Sequence, residues 1–335
     1  MNTITLQTRL NTSPRRQAGL SLVELMISLT ISLFLLAGIT TLIVQQSNSR
    51  NELEKSSRAI ENGRYAMQLL HNDIQHAGYY GDYSPSTGVT YTVPSDPCNL
   101  ALGSANSGWL TAPTVPVAIF GYAGAATDPT AATTCGLTNY QANTAILVIR
   151  RASTTQIAAA AAVAGSTYLQ ANRCSTTAGS LFVFGTSGFT LNDKTCAAPA
   201  PLNRYIVHVY YISTCDICSP SDGIPTLKMV ELGDGANTIL PLTEGIENIQ
   251  YDYGIDSTAD GSPNTYSATP LTTDWANVMS VRVNLLARNI DATAGYVDGK
   301  SYQLGSVAVA AKSDNYKRHA YTELVRAVNP SELRE

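Results

Sequence analysis

An uninterrupted apolar segment near the N-terminus dominates the pattern of hydrophobic and polar positions. Residues 25–44 contain no charged side chain. Twenty residues in a helix span about 30 Å, the thickness of the hydrocarbon core of a bilayer. A core helix of this length normally keeps a polar face, which is missing here. Arg15 and Arg16 precede the segment and no basic cluster follows it closely, so we predict a membrane-spanning helix with a cytoplasmic N-terminus.

The helical pattern continues beyond the membrane segment. Residues 45–77 contain no proline, and Gly78 follows as a C-cap. We therefore predict one helix over residues 20–77, with a membrane part at 20–49 and an amphipathic part at 50–77. Apolar side chains recur along the second part at intervals of three, four and seven residues, at Leu53, Ile60, Met67, Leu70, Ile74 and Ala77.

Residues 78–335 have the pattern of a β-rich domain with long loops. In residues 281–288, apolar Val281, Val283 and Leu285 alternate with polar positions, which predicts a strand with one buried face. Because strands and helices do not alternate, we predict an antiparallel sheet and the α+β class. The alanine tract at 157–165 has no clear assignment. Strands are predicted at 144–150, 204–213, 247–256, 281–288 and 321–328.

Charge is scarce and unevenly distributed along the chain. Charged residues make up 14% of the sequence, against a usual ~25%. The formal net charge of −4 gives no basic footprint, so no nucleic-acid partner is predicted.

Glu24 is the one charge within residues 20–49. Burying it in a membrane costs about 2.5–3.5 kcal/mol. Cleavage after Gly19 would supply a positive partner, the new amine of Leu20, from the same chain or a neighbouring subunit.

The residues around Glu24 resemble a known processing signal. Arg-Arg-Gln-Ala-Gly at 15–19, followed by Leu-Ser-Leu-Val-Glu at 20–24 and the apolar segment, is similar to the class III signal of type IV pilins and type II secretion pseudopilins. The resemblance implies cleavage between Gly19 and Leu20 by a prepilin peptidase, which also methylates the new N-terminus. It also implies that Glu24 recruits and aligns the subunit in a filament. Leu20 departs from the family, where phenylalanine is commoner. A secretory signal peptide is the alternative, but its apolar region would be shorter and end at a small-residue site.

Further stretches of the chain look like the PilW family of minor pilins, at residues 62–81, 244–254, 281–288 and 317–326. This resemblance implies a pilin-like fold with a leader at 1–19, the helix at 20–77 and a globular head at 78–335. It also implies a tip complex with other minor pilins that primes polymerisation of the major pilin and supports a tip adhesin, adhesion and twitching motility. The protein would be a single-pass inner-membrane protein with a periplasmic head before assembly, and would lie at the pilus tip afterwards. A J-type pseudopilin of type II secretion, and a membrane-anchored periplasmic adhesin or binding module that does not polymerise, remain alternatives.

All six cysteines lie beyond the membrane segment. An even number in an exported domain predicts disulfides, although six cysteines allow fifteen pairings. We predict pairing between sequence neighbours. Cys215-Asp216-Ile217-Cys218 could also be a redox motif, but it follows a strand and precedes a turn instead of opening a helix. Zinc would need two more nearby ligands, and only His208 is close in sequence. The predicted pairs are Cys98–Cys135, Cys174–Cys196 and Cys215–Cys218.

No catalytic motif is visible in the sequence. It has no G-x-S-x-G, H-E-x-x-H or P-loop pattern, so we predict no enzymatic activity, no cofactor and no metal. Asp252, Asp256 and Asp260 form an acidic cluster whose spacing does not match an EF-hand. Calcium binding and an ordinary solvated turn are both left open for this cluster.

Overall fold

The computed structural model describes most of the chain between Gly19 and Arg334. The predicted leader residues 1–18 and Leu20 lie outside the described residues. Contacts within the chain divide it into two compact units, one ending at Leu53 and the other beginning at Glu54. The described residues are 19, 21–85, 89–101, 108–109, 114–176, 181–233 and 237–334.

Helix α1 spans Leu22–His76, close to the predicted 20–77. Gly78 follows it with a φ of +74°, a left-handed conformation that glycine adopts without the usual steric cost. A Cβ at Gly78 would lie 3.1 Å from the Ala118 side chain, so space is also limited there. In the second unit, α1 buries the predicted apolar positions Met67, Leu70 and Ile74.

Fifteen strands and a short helix α2 (Val328–Glu332) follow α1 in the described residues. Two 3₁₀ helices, Ala159–Ala161 and Trp275–Asn277, lie between them. The strands are β1 (Thr90–Thr92), β2 (Thr114–Pro116), β3 (Ile119–Tyr122), β4 (Ile146–Ile157), β5 (Tyr168–Ala171), β6 (Phe182–Gly185), β7 (Leu202–Ser213), β8 (Thr226–Leu232), β9 (Thr238–Glu244), β10 (Ile246–Ile255), β11 (Thr265–Ser267), β12 (Val278–Arg288), β13 (Tyr302–Leu304), β14 (Val307–Val309) and β15 (Arg318–Arg326).

The strands form two larger antiparallel sheets, which confirms the predicted α+β class. In the seven-stranded sheet, β7 is central: it pairs with β4 along one edge, and with β5 and then β8 along the other. The four-stranded sheet has the order β11-β10-β12-β15. Strands β13 and β14 form a separate hairpin, and β1 and β2 form a short parallel pair.

The prediction at residues 321–328 was wrong at its C-terminal end. Strand β15 ends at Arg326, and α2 begins at Val328. The Ala327 N–H donates its hydrogen bond to the Met279 carbonyl. Ser331 Oγ then donates to the carbonyls of Met279 and Ala327, at 3.3 and 2.8 Å. These hydrogen bonds turn the chain out of the sheet. The pattern of apolar residues in the sequence does not predict them.

The central strands β4 and β7 are buried on both faces. Leu147 and Ile149 point into a core shared with α1 and the four-stranded sheet. Ile146 and Val148 point the other way, into a second core rich in aromatic side chains around Trp109 and Phe184. Because side chains alternate between the faces of a strand, burial on both sides requires a continuous apolar segment. This is why residues 204–213 contain so many β-branched and aromatic residues.

Candidate functional site

The predicted processing site lies in an accessible part of the chain. Gly19 is exposed, and an added Cβ there would meet no atom within 4 Å. Helix α1 begins three residues later, with the Leu25 N–H donating to the Ser21 carbonyl at 3.1 Å. Glu24 lies in the first helical turn and is exposed. A carboxylate at this end of a helix is favoured by the helix dipole. Leu20, the predicted new N-terminus, is outside the described residues.

The first part of α1 presents apolar side chains on all sides. From Leu22 to Val44 its large apolar residues are between 53% and 79% exposed. The hydroxyls in this segment bond to the helix's own carbonyls, as in Ser28 to Leu25 (2.9 Å) and Thr30 to Ile27 (2.8 Å). Such bonds leave no hydroxyl hydrogen in need of water. By length and composition, α1 is the one helix among the described residues that could cross a membrane.

Three disulfides fix the loop regions of the head. They are Cys98–Cys135, Cys174–Cys196 and Cys215–Cys218, the pairing of sequence neighbours, and no cysteine is free. Asp96 strengthens the first, because its carboxylate accepts from the Cys98 N–H at 3.0 Å and the Thr134 N–H at 2.9 Å. Asp96, Cys98 and Cys135 are also the one group within the described residues with metal-ligand spacing. Both sulfurs are consumed by the disulfide, so the group is unsuited to a metal.

The loop containing Cys215 and Cys218 is a closed turn. The Asp222 carboxylate accepts from the backbone N–H groups of Ile217 (2.8 Å) and Ile224 (3.0 Å). These hydrogen bonds lower the pKa of Asp222. Lys228 Nζ donates to the Asp216 carbonyl at 3.0 Å across the turn. The helix start that a redox pair normally uses is not present at this loop.

A buried charged network joins α1 to the centre of the seven-stranded sheet. Asp73 on α1 accepts from Arg151 Nε (2.7 Å), lies 2.7 Å from His208 Nδ1, and accepts from Tyr210 Oη (2.8 Å). Burial alone would raise the pKa of Asp73, but His208 and Arg151 lower it to about 2. Burial would also lower the pKa of His208, yet Asp73 and Glu231 raise it. We call Asp73, Arg151, His208 and Tyr210 the Asp73 network.

The sequence analysis missed this network. It considered His208 only as a possible zinc ligand, and within the described residues His208 belongs to no group with metal-ligand spacing. One feature of the sequence could have indicated it. Asp73 is a charged residue on the apolar face of α1, between the buried positions Leu70 and Ile74. Arg151, at the end of an apolar segment, gave no separate signal.

A second ionic cluster surrounds Arg318, the first residue of β15. Its Nε lies 2.5 Å from Glu247, its Nη1 3.0 Å from Asp298 and its Nη2 2.6 Å from Asp314. The Arg318 side chain is only 1% exposed. Three carboxylates raise the pKa of Arg318 against the opposing effect of burial. The cluster holds the loop before β15 against β10.

Asp252, Asp256 and Asp260 do not converge on a common point. Asp252 on β10 accepts from Asn284 Nδ2 (3.1 Å) and Ser306 Oγ (3.0 Å). Asp256 accepts from four successive backbone N–H groups, 258–261, at 2.7 to 3.4 Å. Although burial raises the pKa of Asp256, these bonds lower it overall. The arrangement is a closed turn, and it does not favour calcium binding.

Comparison with known families identifies the chain. Residues 14–40 match the prokaryotic N-terminal methylation motif, and residues 209–329 match the family of the Type IV Pilus-assembly protein W. The chain is a type IV minor pilin of the PilW family. The second match includes three of the stretches that suggested the family, at 244–254, 281–288 and 317–326, while the helix stretch at 62–81 lies outside it.

Other comparisons add little detail for this pilin. Among solved structures it is similar to the type IV-like pilin TTHA1219 from Thermus thermophilus, with 12% identity, a TM-score of 0.28, and coverage of 58% of this chain and 80% of the other. No curated protein matches the chain. The methylation motif and the apolar helix together indicate membrane anchoring by α1. Family membership implies interactions with other pilins and with a prepilin peptidase.

Proposed function

We propose that this pilin is cleaved between Gly19 and Leu20, methylated on the Leu20 amine and inserted into a pilus through α1. The observation that carries the proposal is the apolar part of α1, which is exposed on all sides within the matched methylation motif and has Glu24 as its one charge. Such a surface requires lipid before assembly and neighbouring helices afterwards. Before cleavage the N-terminus lies in the cytoplasm and the head in the periplasm, as the arginines at 15 and 16 favour.

Glu24 directs insertion in this proposal. A carboxylate among apolar helices is costly without a positive partner, and the amine of a neighbouring pilin would supply one. Correct axial placement of the incoming subunit brings the two charges together, whereas a shifted placement leaves both unpaired. The charge therefore selects the position of the subunit, while the apolar surface provides the attraction.

The head supports a place at the pilus tip. It extends from Glu54 to the C-terminus and has long loops fixed by three disulfides. A subunit with so large a head would crowd a regularly repeated filament lattice. We propose that it joins other minor pilins in a complex that primes the major pilin and supports a tip adhesin. Adhesion and twitching motility follow from this structural role, which involves no catalysis.

Replacement of Glu24 tests the proposal. In a strain lacking the chromosomal copy, Glu24→Ala should give wild-type amounts of membrane protein but at least about tenfold less of the pilin in sheared fibres, because a charge pair of about 1.4 kcal/mol or more is lost. Glu54→Ala is the matched control, since Glu54 is an exposed glutamate on the same helix. Mass spectrometry of the mature protein should find N-methyl-leucine at position 20.

Three outcomes would count against this function. Normal incorporation of the Glu24→Ala variant would remove Glu24 from assembly. An uncut N-terminus would favour an anchored adhesin that does not polymerise. Loss of exoprotein secretion with normal surface fibres would instead indicate a type II secretion pseudopilin.

A further inference from the structure

A small cavity lies within the head, away from α1 residues 22–76 and the ionic clusters. Its volume is about 190 Å³. The segment after α1, strands β1 to β3, the second 3₁₀ helix and the C-terminal segment around α2 supply its walls. It is lined by Gly78, Tyr80, Pro85, Val89, Tyr91, Val117, Ala118, Ile119, Trp275, Ala276, Val278, Pro330, Leu333 and Arg334.

The size and walls of this cavity suit one aromatic ring. Val117, Ile119 and Val278 form a buried apolar side, and Trp275 adds an aromatic surface. An engineered apolar cavity of about 150 Å³ in another protein is large enough to bind benzene. The volume is therefore sufficient for a single flat ring. Its contacts with the aromatic side chain would favour edge or offset stacking.

One end of the cavity is positively charged and reaches solvent. Arg334 is the one charged residue in the lining that the structure describes, and its side chain is 22% exposed. Its Nη2 donates to the Ala276 carbonyl (2.9 Å) and Asn277 Oδ1 (2.6 Å), whereas Nη1 reaches Asp256 only at 3.5 Å. A guanidinium has five N–H donors. Within the described residues, Nε–H and one hydrogen of Nη1 therefore have no acceptor.

Two neighbouring groups complete the polar end. Asp256 is already satisfied by backbone N–H groups, so it does not depend on Arg334. Tyr91 also lines the cavity, and its hydroxyl has no hydrogen-bond partner among the described residues. Arg334 is close enough to lower the pKa of Tyr91 against the larger raising effect of burial. An acceptor placed there would meet donors from both side chains.

We propose that this cavity binds a small aromatic carboxylate. The ring occupies the space between Val117, Ile119 and Val278, and the carboxylate accepts hydrogen bonds from Arg334 and Tyr91. An apolar cavity with a few convergent polar groups is the usual form of a small-molecule site. Charge complementarity favours an anion, because Arg334 is the one charged residue in the described lining, and Asp256, which Arg334 reaches at 3.5 Å, lies outside that lining.

Fluorine NMR of 4-fluorobenzoate tests this site with the full chain in lipid nanodiscs. The signal should shift saturably with a stoichiometry of one, beyond any effect of empty nanodiscs. We expect 4-fluorobenzyl alcohol, which lacks the carboxylate, to bind at least about tenfold more weakly. A factor of this size corresponds to the loss of one charge-assisted hydrogen bond. Arg334→Gln should weaken 4-fluorobenzoate binding by a similar factor and Tyr91→Phe by less.

Two further variants separate binding from folding. Ala118→Leu fills the wall beside Gly78 and should abolish binding while leaving Arg334 in place. Arg326→Gln removes an exposed arginine outside the cavity and should bind like the wild type. The proposal is overturned if the wild type shows no saturable shift up to about 10 mM, a limit near the weakest affinities of single-ring fragments. Unchanged binding by folded Arg334→Gln or Ala118→Leu variants would also overturn it.

Discussion

Asp73 is the residue whose replacement should most clearly weaken the head. It carries one charge yet contacts three side chains on the two central strands, β4 and β7. Removing one partner from a buried ionic group leaves the other charge without compensation. We expect Asp73→Asn to lower the free energy of unfolding by about 3 kcal/mol or more. Chemical denaturation followed by near-UV circular dichroism measures this.

Asp291→Asn is the control for that replacement, because Asp291 is exposed. Its free energy of unfolding should stay within about 0.5 kcal/mol of the wild type, as for most surface substitutions. Equal effects of the two variants would show that the Asp73 network does not stabilise the head.

The Asp73 network also predicts how stability depends on pH. The pKa of Asp73 is about 2 in the folded state against 3.8 in the unfolded chain, so its contribution is complete above pH 3.8 and falls as the pH drops towards 2. The pKa of His208 is raised above 6.5, so its contribution is complete below pH 6.5 and is lost as the pH rises through the folded value. Stability from this pair is therefore greatest between about pH 4 and 6.5.

A His208→Gln variant isolates the histidine contribution. The wild type should lose stability as the pH rises above 6.5 through the raised pKa of His208, whereas the variant should lose clearly less over the same interval. Parallel pH profiles for the two proteins would contradict the network's role in this dependence.

A residue's role can be predicted from the sequence where that role is encoded locally. Gly78 follows the end of α1, as its neighbours in the sequence predict. The processing role of Gly19 and the assembly role of Glu24 stay predictions, which rest on the linear motif that contains both residues. Asp73, Arg151 and His208 are far apart in the chain and meet because α1 packs on β4 and β7. Their contacts depend on the tertiary arrangement, which a pattern in one sequence does not encode.

At the level of elements, the three disulfides should differ in their effects on stability. Their cysteines are separated by 37, 22 and 3 positions. In the chain-entropy model, removing Cys98–Cys135 should cost about 4 kcal/mol and removing Cys215–Cys218 about 2 kcal/mol. Serine pairs at each site, compared by chemical denaturation, test this order. A larger loss from the Cys215–Cys218 pair would show that native contacts in its turn matter more than loop length.

Strands were predictable to the extent that one face or both faces carry an apolar pattern. The five predicted segments correspond to β4, β7, β10, β12 and β15. The other ten strands were missed. Five of them, β1, β2, β11, β13 and β14, have only three residues each, too few to show a period. The end of β15 was misplaced because Ser331 and Ala327, bonded to the Met279 carbonyl, decide where the chain leaves the sheet.

At the level of the whole molecule, the head should require the last part of α1. The second compact unit begins at Glu54, and Ala66, Leu70 and Ile74 belong to its core. A fragment of residues 54–335 produced in an oxidising compartment should unfold in one cooperative transition. A fragment of residues 78–335 should aggregate, because it exposes the apolar surface that α1 covers.

The comparison of these two fragments uses size-exclusion chromatography and thermal denaturation. A folded, monomeric 78–335 fragment would show that the head is independent of α1. The sequence analysis put the boundary at residue 78, where the composition changes. The division at Glu54 follows from packing, because the apolar face of the amphipathic part of α1 is buried against the head and this part therefore folds with it.

The Asp73 network has a mechanical consequence. Part of any tension that reaches the last turns of α1 enters the sheet through Asp73, where it is shared between two adjacent strands, β4 through Arg151 and β7 through His208 and Tyr210. Both strands are twelve residues long and lie inside the sheet, where each is bonded along both edges. Force is thus distributed over many backbone hydrogen bonds at once instead of peeling an edge strand one bond at a time. A head attached in this way resists pulling better than its free energy of unfolding alone would indicate.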